Sequence, residues 1–136
     1  MTQENKQLLL KDLCGRFPYG VMMKVTPEGG GPGGVESYDI KLNIELLDAF
    51  SDFADAFKPY LRPMSSMTEE EIKDFGGYIH TQPITHQQGY KGYTVNCSHY
   101  YTVSEIDWLN ENHFDYRWLI EKGLALEAPE GMYKND

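Results

Sequence analysis

The chain has 136 residues, with 21 acids against 12 bases and a formal charge of −9. That length suits one domain, and the acidity, with only Arg16, Arg62 and Arg117 as arginines, opposes the counterion release that drives nucleic-acid binding and argues against anionic membrane surfaces. Cys14 and Cys97 stand far apart with no CxxC pair, which argues against a disulfide scaffold or a zinc cluster and for a reducing cytoplasm.

The opening MTQENKQLLLKDLC predicts a helix: Thr2 caps it, Leu8, Leu9, Leu10 and Leu13 supply an apolar flank, and Gly15 suits a left-handed stop. Its run of three leucines is too short for an export signal or a membrane span. Tyr19–Thr26 is rich in β-formers and predicts a strand ended by Pro27. The glycine run that follows lacks the Lys-Ser/Thr of a phosphate loop, so residues 28–36 are expected to be a flexible hairpin loop.

Between Tyr38 and Leu46 apolar and polar residues alternate, Tyr38, Ile40, Leu42, Ile44 and Leu46 against Asp39, Lys41, Asn43 and Glu45, which predicts a half-buried antiparallel strand. A turn over Asp48–Asp52 and a short strand or 3₁₀ turn before Lys58-Pro59 complete the stretch. The prolines of Lys58–Pro63 favour an extended connector across the surface. Thr68 and Glu71 then form a capping box, Met67 can staple onto Ile72, and Gly76-Gly77 stops the short helix.

Five of the ten tyrosines lie between Tyr78 and Tyr101 with His80, His86 and His99, and Tyr93–Val103 predicts a further strand. Cys97 and His99 would share its face, which makes them candidate metal ligands with His80 or His86, or a nucleophile pair. A sheet face with a buried thiol explains the same residues more simply, and neither a metal nor any other cofactor is assigned. Ser104 is expected to cap a helix with Ile106 and Leu109 inward. Asp115 would cap a second, Tyr116 to Lys122, closed by Gly123. His113 and Asp115 could be an acid/base pair, but a helical corner more often uses such residues as caps.

The runs KPYLRPMSSMTEEE (Lys58 to Glu71) and WLNENHFDYRWLIEKGLALEAPEGMY (Trp108 to Tyr133) resemble a family of small uncharacterised proteins of gut anaerobes, their prophages and their phages. The start LCGRFPYGV is similar too, whereas Phe75 to Val103 departs most. The resemblance implies a mobile-element setting in a bacterial host and no catalytic residue. In that family pattern the place of Trp118 is held by a small residue, usually glycine.

The expected architecture is α+β: a small antiparallel sheet from Tyr19–Thr26, Tyr38–Leu46 and Tyr93–Val103, with barrel-like closure as an alternative, an N-terminal helix and short C-terminal helices packed on it. The expected function is non-enzymatic binding of a host protein or a small anionic ligand, with Tyr60, Arg62, Tyr116, Arg117 and Trp118 as candidate contacts. A nucleotide-sequestering anti-defence protein is the narrower alternative. A small enzyme built on Cys97 and His99 is the one from another class.

Overall fold

The computed structural model describes residues 1–27, 36–75, 79–83, 89–90, 93–95 and 102–133, with only the backbone given for those between 79 and 95. Helix α1 (Gln3–Arg16) begins as expected, the Thr2 hydroxyl accepting the Asn5 N–H at 3.1 Å. Leu9 and Leu13 are buried, but Leu10 is exposed. The helix runs through Gly15, and the left-handed turn falls instead at Gly20 (φ 72°) after a 3₁₀ turn over Phe17–Tyr19. Gly15 serves close approach: a Cβ there would lie 3.2 Å from the Asn110 side-chain nitrogen. Strand β1 (Met22–Val25) is therefore shorter than the β-formers suggested, with Met23 and Val25 inward.

Strand β2 (Tyr38–Lys41) pairs antiparallel with β1, as expected, but ends five residues before Leu46. Asn43 is the reason. Its side-chain oxygen accepts the Leu46 N–H at 2.8 Å and starts helix α2 (Ile44–Phe53), so Ile44 is exposed and Phe50 enters the core. A helix thus replaces the turn expected over Asp48–Asp52, and of the short strand or 3₁₀ turn expected before Lys58-Pro59 it is a 3₁₀ turn that forms, at Ala54–Ala56.

The largest departure is strand β3 (Phe57–Pro63), expected as a surface connector and found as the centre of the sheet with Phe57, Pro59, Tyr60 and Leu61 buried. Pairing geometry permits the proline. Thr26 N–H donates to the Ala56 carbonyl, so hydrogen-bonded pairs fall at Thr26/Ala56 and Lys24/Lys58, while Pro59 stands opposite Met23 in the non-hydrogen-bonded pair just past Lys24/Lys58. Its missing N–H takes nothing from the β1–β3 ladder.

A 3₁₀ turn (Met64–Ser66) leads to α3 (Glu69–Phe75), where the expected capping box is present: Glu71 N–H to the Thr68 hydroxyl, 3.2 Å, and Thr68 N–H to the Glu71 carboxylate, 3.0 Å. Met67 and Ile72 join one apolar cluster, as a staple requires. The Gly76-Gly77 stop lies outside the described residues. Strands β4 (Ile79–Pro83), β5 (Gly89–Tyr90) and β6 (Tyr93–Val95) form a separate antiparallel sheet in the order β4-β6-β5. The strand expected over Tyr93–Val103 thus belongs to another sheet. It cannot reach Val103, because Thr102, not Ser104, caps α4 (Val103–Glu111) in a second capping box with Glu105.

Strands β7 (Phe114–Asp115) and β8 (Leu126–Glu127) both pair parallel with β3, giving a sheet in the order β2-β1-β3-β7 with β8 also on β3. The protein is α+β, with a mixed five-stranded sheet where an antiparallel one was expected, open and not a barrel, and α1 packed on it. One apolar cluster joins α1, α2 and the sheet through Leu9, Leu13, Val21, Met23, Phe50 and Leu61. A second gathers Met64, Met67, Phe75, Leu109, Phe114 and Tyr116. Among the described residues no helix is long and apolar enough to cross a membrane.

Replacing Thr102 with alanine leaves the first-turn amides of α4 without their side-chain acceptor. The expected loss is about 1 kcal/mol, read as a lower urea midpoint with an unchanged slope.

Candidate functional site

The segment from His113 to Leu124 is a corner, not the second helix that Asp115 was expected to cap. Asp115 still caps, its two carboxylate oxygens accepting the Leu119 and Ile120 N–H groups at 2.9 Å each. Between them Trp118 adopts the left-handed conformation (φ 59°), which no continuous right-handed helix admits. Gly123, expected to end that helix, closes the corner instead (φ 75°), its N–H donating to the Ile120 carbonyl at 3.0 Å. His113 is also left-handed (φ 64°), so two non-glycine residues in one short corner carry backbone strain.

A buried polar network holds this corner to α1. Asp12, fully buried, accepts Arg16 Nε at 2.7 Å on one oxygen and Arg117 Nη1 at 2.8 Å on the other. Arg16, also fully buried, donates Nη2 to the Phe114 carbonyl at 2.6 Å. Arg117 continues to the Tyr116 hydroxyl at 2.9 Å, and that hydroxyl donates to the Asn110 side chain at 2.8 Å. Both guanidinium carbons lie over the Tyr116 ring, Arg117 at 4.8 Å and Arg16 at 5.1 Å. Burial raises the Tyr116 hydroxyl above its ordinary pKa, against the opposing pull of Arg117 and Arg16. Burial likewise raises Asp115, while the Ile120 and Leu119 amides and the Arg16 charge pull it back.

Arg62 forms a second, independent cluster. It meets Glu71 through two bonds of 2.7 Å each, and its guanidinium lies 4.1 Å from the centre of the Phe114 ring. Burial would raise Glu71, but Arg62 and the Thr68 amide outweigh it and hold the carboxyl below its ordinary range. The capping box of α3 and the Arg62 ion pair therefore share one carboxylate.

The candidate contacts divide accordingly. Tyr116 and Arg117 come together on Asp12, Arg62 stands apart on Glu71, and Tyr60 is buried with its hydroxyl on Asp39 at 2.7 Å. Burial, then the bond to and charge of Asp39, push the Tyr60 hydroxyl up to about 12. Trp118 is half-buried against the second apolar cluster. Cys97 and His99 lie outside the described residues, as does His86; Cys14 is exposed. A depression of about 220 Å³ lies at the end of α2, lined by Thr26, Asp52, Phe53, Ala54, Asp55 and Ala56, and includes none of the candidates.

Sequence reasoning missed Asp12, Arg16, Asn110 and Tyr133. An i, i+4 Asp-Arg pair on a short helix looks like a solvated face; its only hint of burial is that Asp12 and Arg16 flank Leu13. Tyr133 carried no periodic signal, yet its ring stacks on His113 at 3.7 Å and 18°. Against protein-family models, curated proteins and solved structures alike, the chain finds no match.

Asp12→Ala strands the buried Arg16 charge, and a loss of about 3 to 5 kcal/mol is expected by chemical denaturation. Arg117→Ala, whose side chain is 21% exposed, should cost about 1 to 2 kcal/mol because Asp12 keeps Arg16. Comparable losses would show that the two arginines share the pair equally. His113 gives a pH signature: burial first, then the charges of Arg16 and Arg62, lower it from 6.5 to about 4. The unfolded chain takes up a proton below 6.5 that the folded chain refuses until about 4, so stability falls as pH drops through that window. His113→Asn tolerates the left-handed backbone and does not titrate. The gap in unfolding free energy between it and the wild type should narrow steadily as pH falls from 6.5 towards 4.

Proposed function

We propose that the protein is a non-enzymatic binding protein of a phage or mobile element, which holds a host protein through the corner that presents Trp118. The observation that carries this reading is the left-handed backbone of Trp118 (φ 59°). A bulky residue there costs about 1 to 2 kcal/mol relative to glycine. Glycine is also what the resembling family usually places at this position. A half-buried tryptophan kept in spite of that cost fits a contact residue, because tryptophan anchors often dominate binding energy in protein interfaces. The net charge of −9 favours a partner with a basic surface.

Arg62 and Arg117 support the protein-partner reading over the nucleotide-sequestering one. Each already faces its own carboxylate, Glu71 or Asp12, so an anionic ligand would have to displace an internal ion pair. His113 and Asp115 have structural work in the corner, one under the Tyr133 ring and one on two amides.

The test is capture from an infected host with tagged wild type and Trp118→Gly. The glycine variant should keep its unfolding free energy within about 1 kcal/mol, because relieved backbone strain offsets lost packing, and should lose the partner that the wild type retains. Equal capture by both removes the corner as the interface. A Cys97→Ser variant should capture as the wild type does; loss of function there would favour the Cys97/His99 enzyme.

A further inference from the structure

Tyr133 occupies a place in the sheet that belongs to a backbone hydrogen bond. The β1–β3 register makes Met22 and Tyr60 the next hydrogen-bonded pair after Thr26/Ala56 and Lys24/Lys58. Met22 N–H does not reach the Tyr60 carbonyl. It donates at 2.8 Å to the Tyr133 hydroxyl, which donates in turn at 2.7 Å to the Tyr60 carbonyl. The phenol oxygen thus replaces one rung of the ladder, near where β7 joins β3 at Arg62.

Three features around it are complementary to a 4-hydroxyphenyl group in particular. Met22 N–H is a donor for the phenol oxygen, the Tyr60 carbonyl is an acceptor for the phenol proton, and the His113 ring is a stacking face 3.7 Å from the ring centre. Phenylalanine would satisfy the last and leave both backbone groups unpaired. The rest of the site is rigid: Tyr60 is pinned by Asp39, and the His113 peptide accepts the Arg62 N–H at 2.7 Å. The Tyr133 side chain packs at the edge of the first apolar cluster, but its backbone tether is lighter. After the Ala128 N–H bonds to Leu61, residues 129–132 make a turn closed by Met132 N–H to Pro129, with Gly131 at φ 85° and open space around it.

We propose that Met22, Tyr60 and His113 form a recognition site for a tyrosine side chain, that Tyr133 fills it in cis, and that a tyrosine of a partner polypeptide takes its place when the 129–133 segment swings out. This is an autoinhibitory contact: the same geometry that closes the sheet excludes the partner until the tether opens. It shares His113 with the corner that presents Trp118 but does not depend on Trp118 itself.

The probe is p-cresol, the tyrosine side chain without its backbone, with toluene as the control that lacks the hydroxyl. Amide exchange is followed at Met22, at Lys24 within the same ladder, and at Met132 in the tether. Tyr133→Phe should speed exchange at Met22 about tenfold, the worth of roughly one hydrogen bond, and leave Lys24 unchanged. In Tyr133→Ala, p-cresol should restore slow exchange at Met22 and toluene should not. In the wild type, excess p-cresol should speed exchange at Met132 while Met22 stays slow, because one phenol replaces another. Equal effects of p-cresol and toluene, or unchanged Met22 exchange in Tyr133→Phe, would overturn the recognition site. Rescue of Tyr133→Ala without any response at Met132 of the wild type would make Tyr133 a fixed structural residue and overturn the displacement.

Discussion

The fold turns on one buried carboxylate. Asp12 lies on the first helix, yet both its oxygens are taken by arginines, Arg16 from the same helix and Arg117 from the C-terminal corner. Removing charged groups from water costs several kcal/mol each, repaid only when geometry is good and the remaining donors find acceptors. Arg16 meets much of that condition by donating to the Phe114 carbonyl, 98 positions along the chain. The pair therefore does more than neutralise itself. It fixes where β7 lies against α1, which sets the direction in which the chain enters the corner at Asp115 and Trp118.

The two apolar clusters on either side of this network would otherwise be free to slide. Hydrophobic contact is non-directional, and Leu9 or Leu13 could pack against the sheet in several registers. Charged hydrogen bonds with fixed geometry remove that freedom. Arg62 plays the matching part for the second cluster, its guanidinium over Phe114 and its fork on Glu71, so the start of α3 and the end of β3 are tied by one side chain.

What could be read from the sequence was local. The caps at Thr2 and Thr68–Glu71, the turn at Gly123 and the antiparallel pairing of Tyr38–Lys41 with Met22–Val25 follow from residue types within a few positions of one another. What could not be read was set at long range. Lys58–Pro63 looks like a connector because proline normally avoids central strands, and only the alternation of hydrogen-bonded pairs with β1 shows why Pro59 is tolerated. The alternating run to Leu46 was broken by one cap, Asn43, whose choice of helix over strand depends on Phe50 finding the core. Of the candidate contacts, Tyr116 and Arg117 meet through a hydrogen bond and a ring contact. Their common acceptor, Asp12, is 105 positions from Arg117, and no spacing rule connects them.

The placement of β3 has a consequence for the order in which the protein can form. Its neighbours come from both ends of the chain: β1 before it, and β7 and β8 well after it. A ribosome that has released the chain only as far as Pro63 can supply β1, β2 and β3, but half of β3 and the Arg16 guanidinium then lack their pairing groups. Contacts of such separation are slow to close and leave apolar edge exposed while they wait. The stretch from Phe114 to Glu127 is thus the step that commits the nascent protein to its fold, and Asp12 and Arg16, made about a hundred residues earlier, are satisfied only when it arrives.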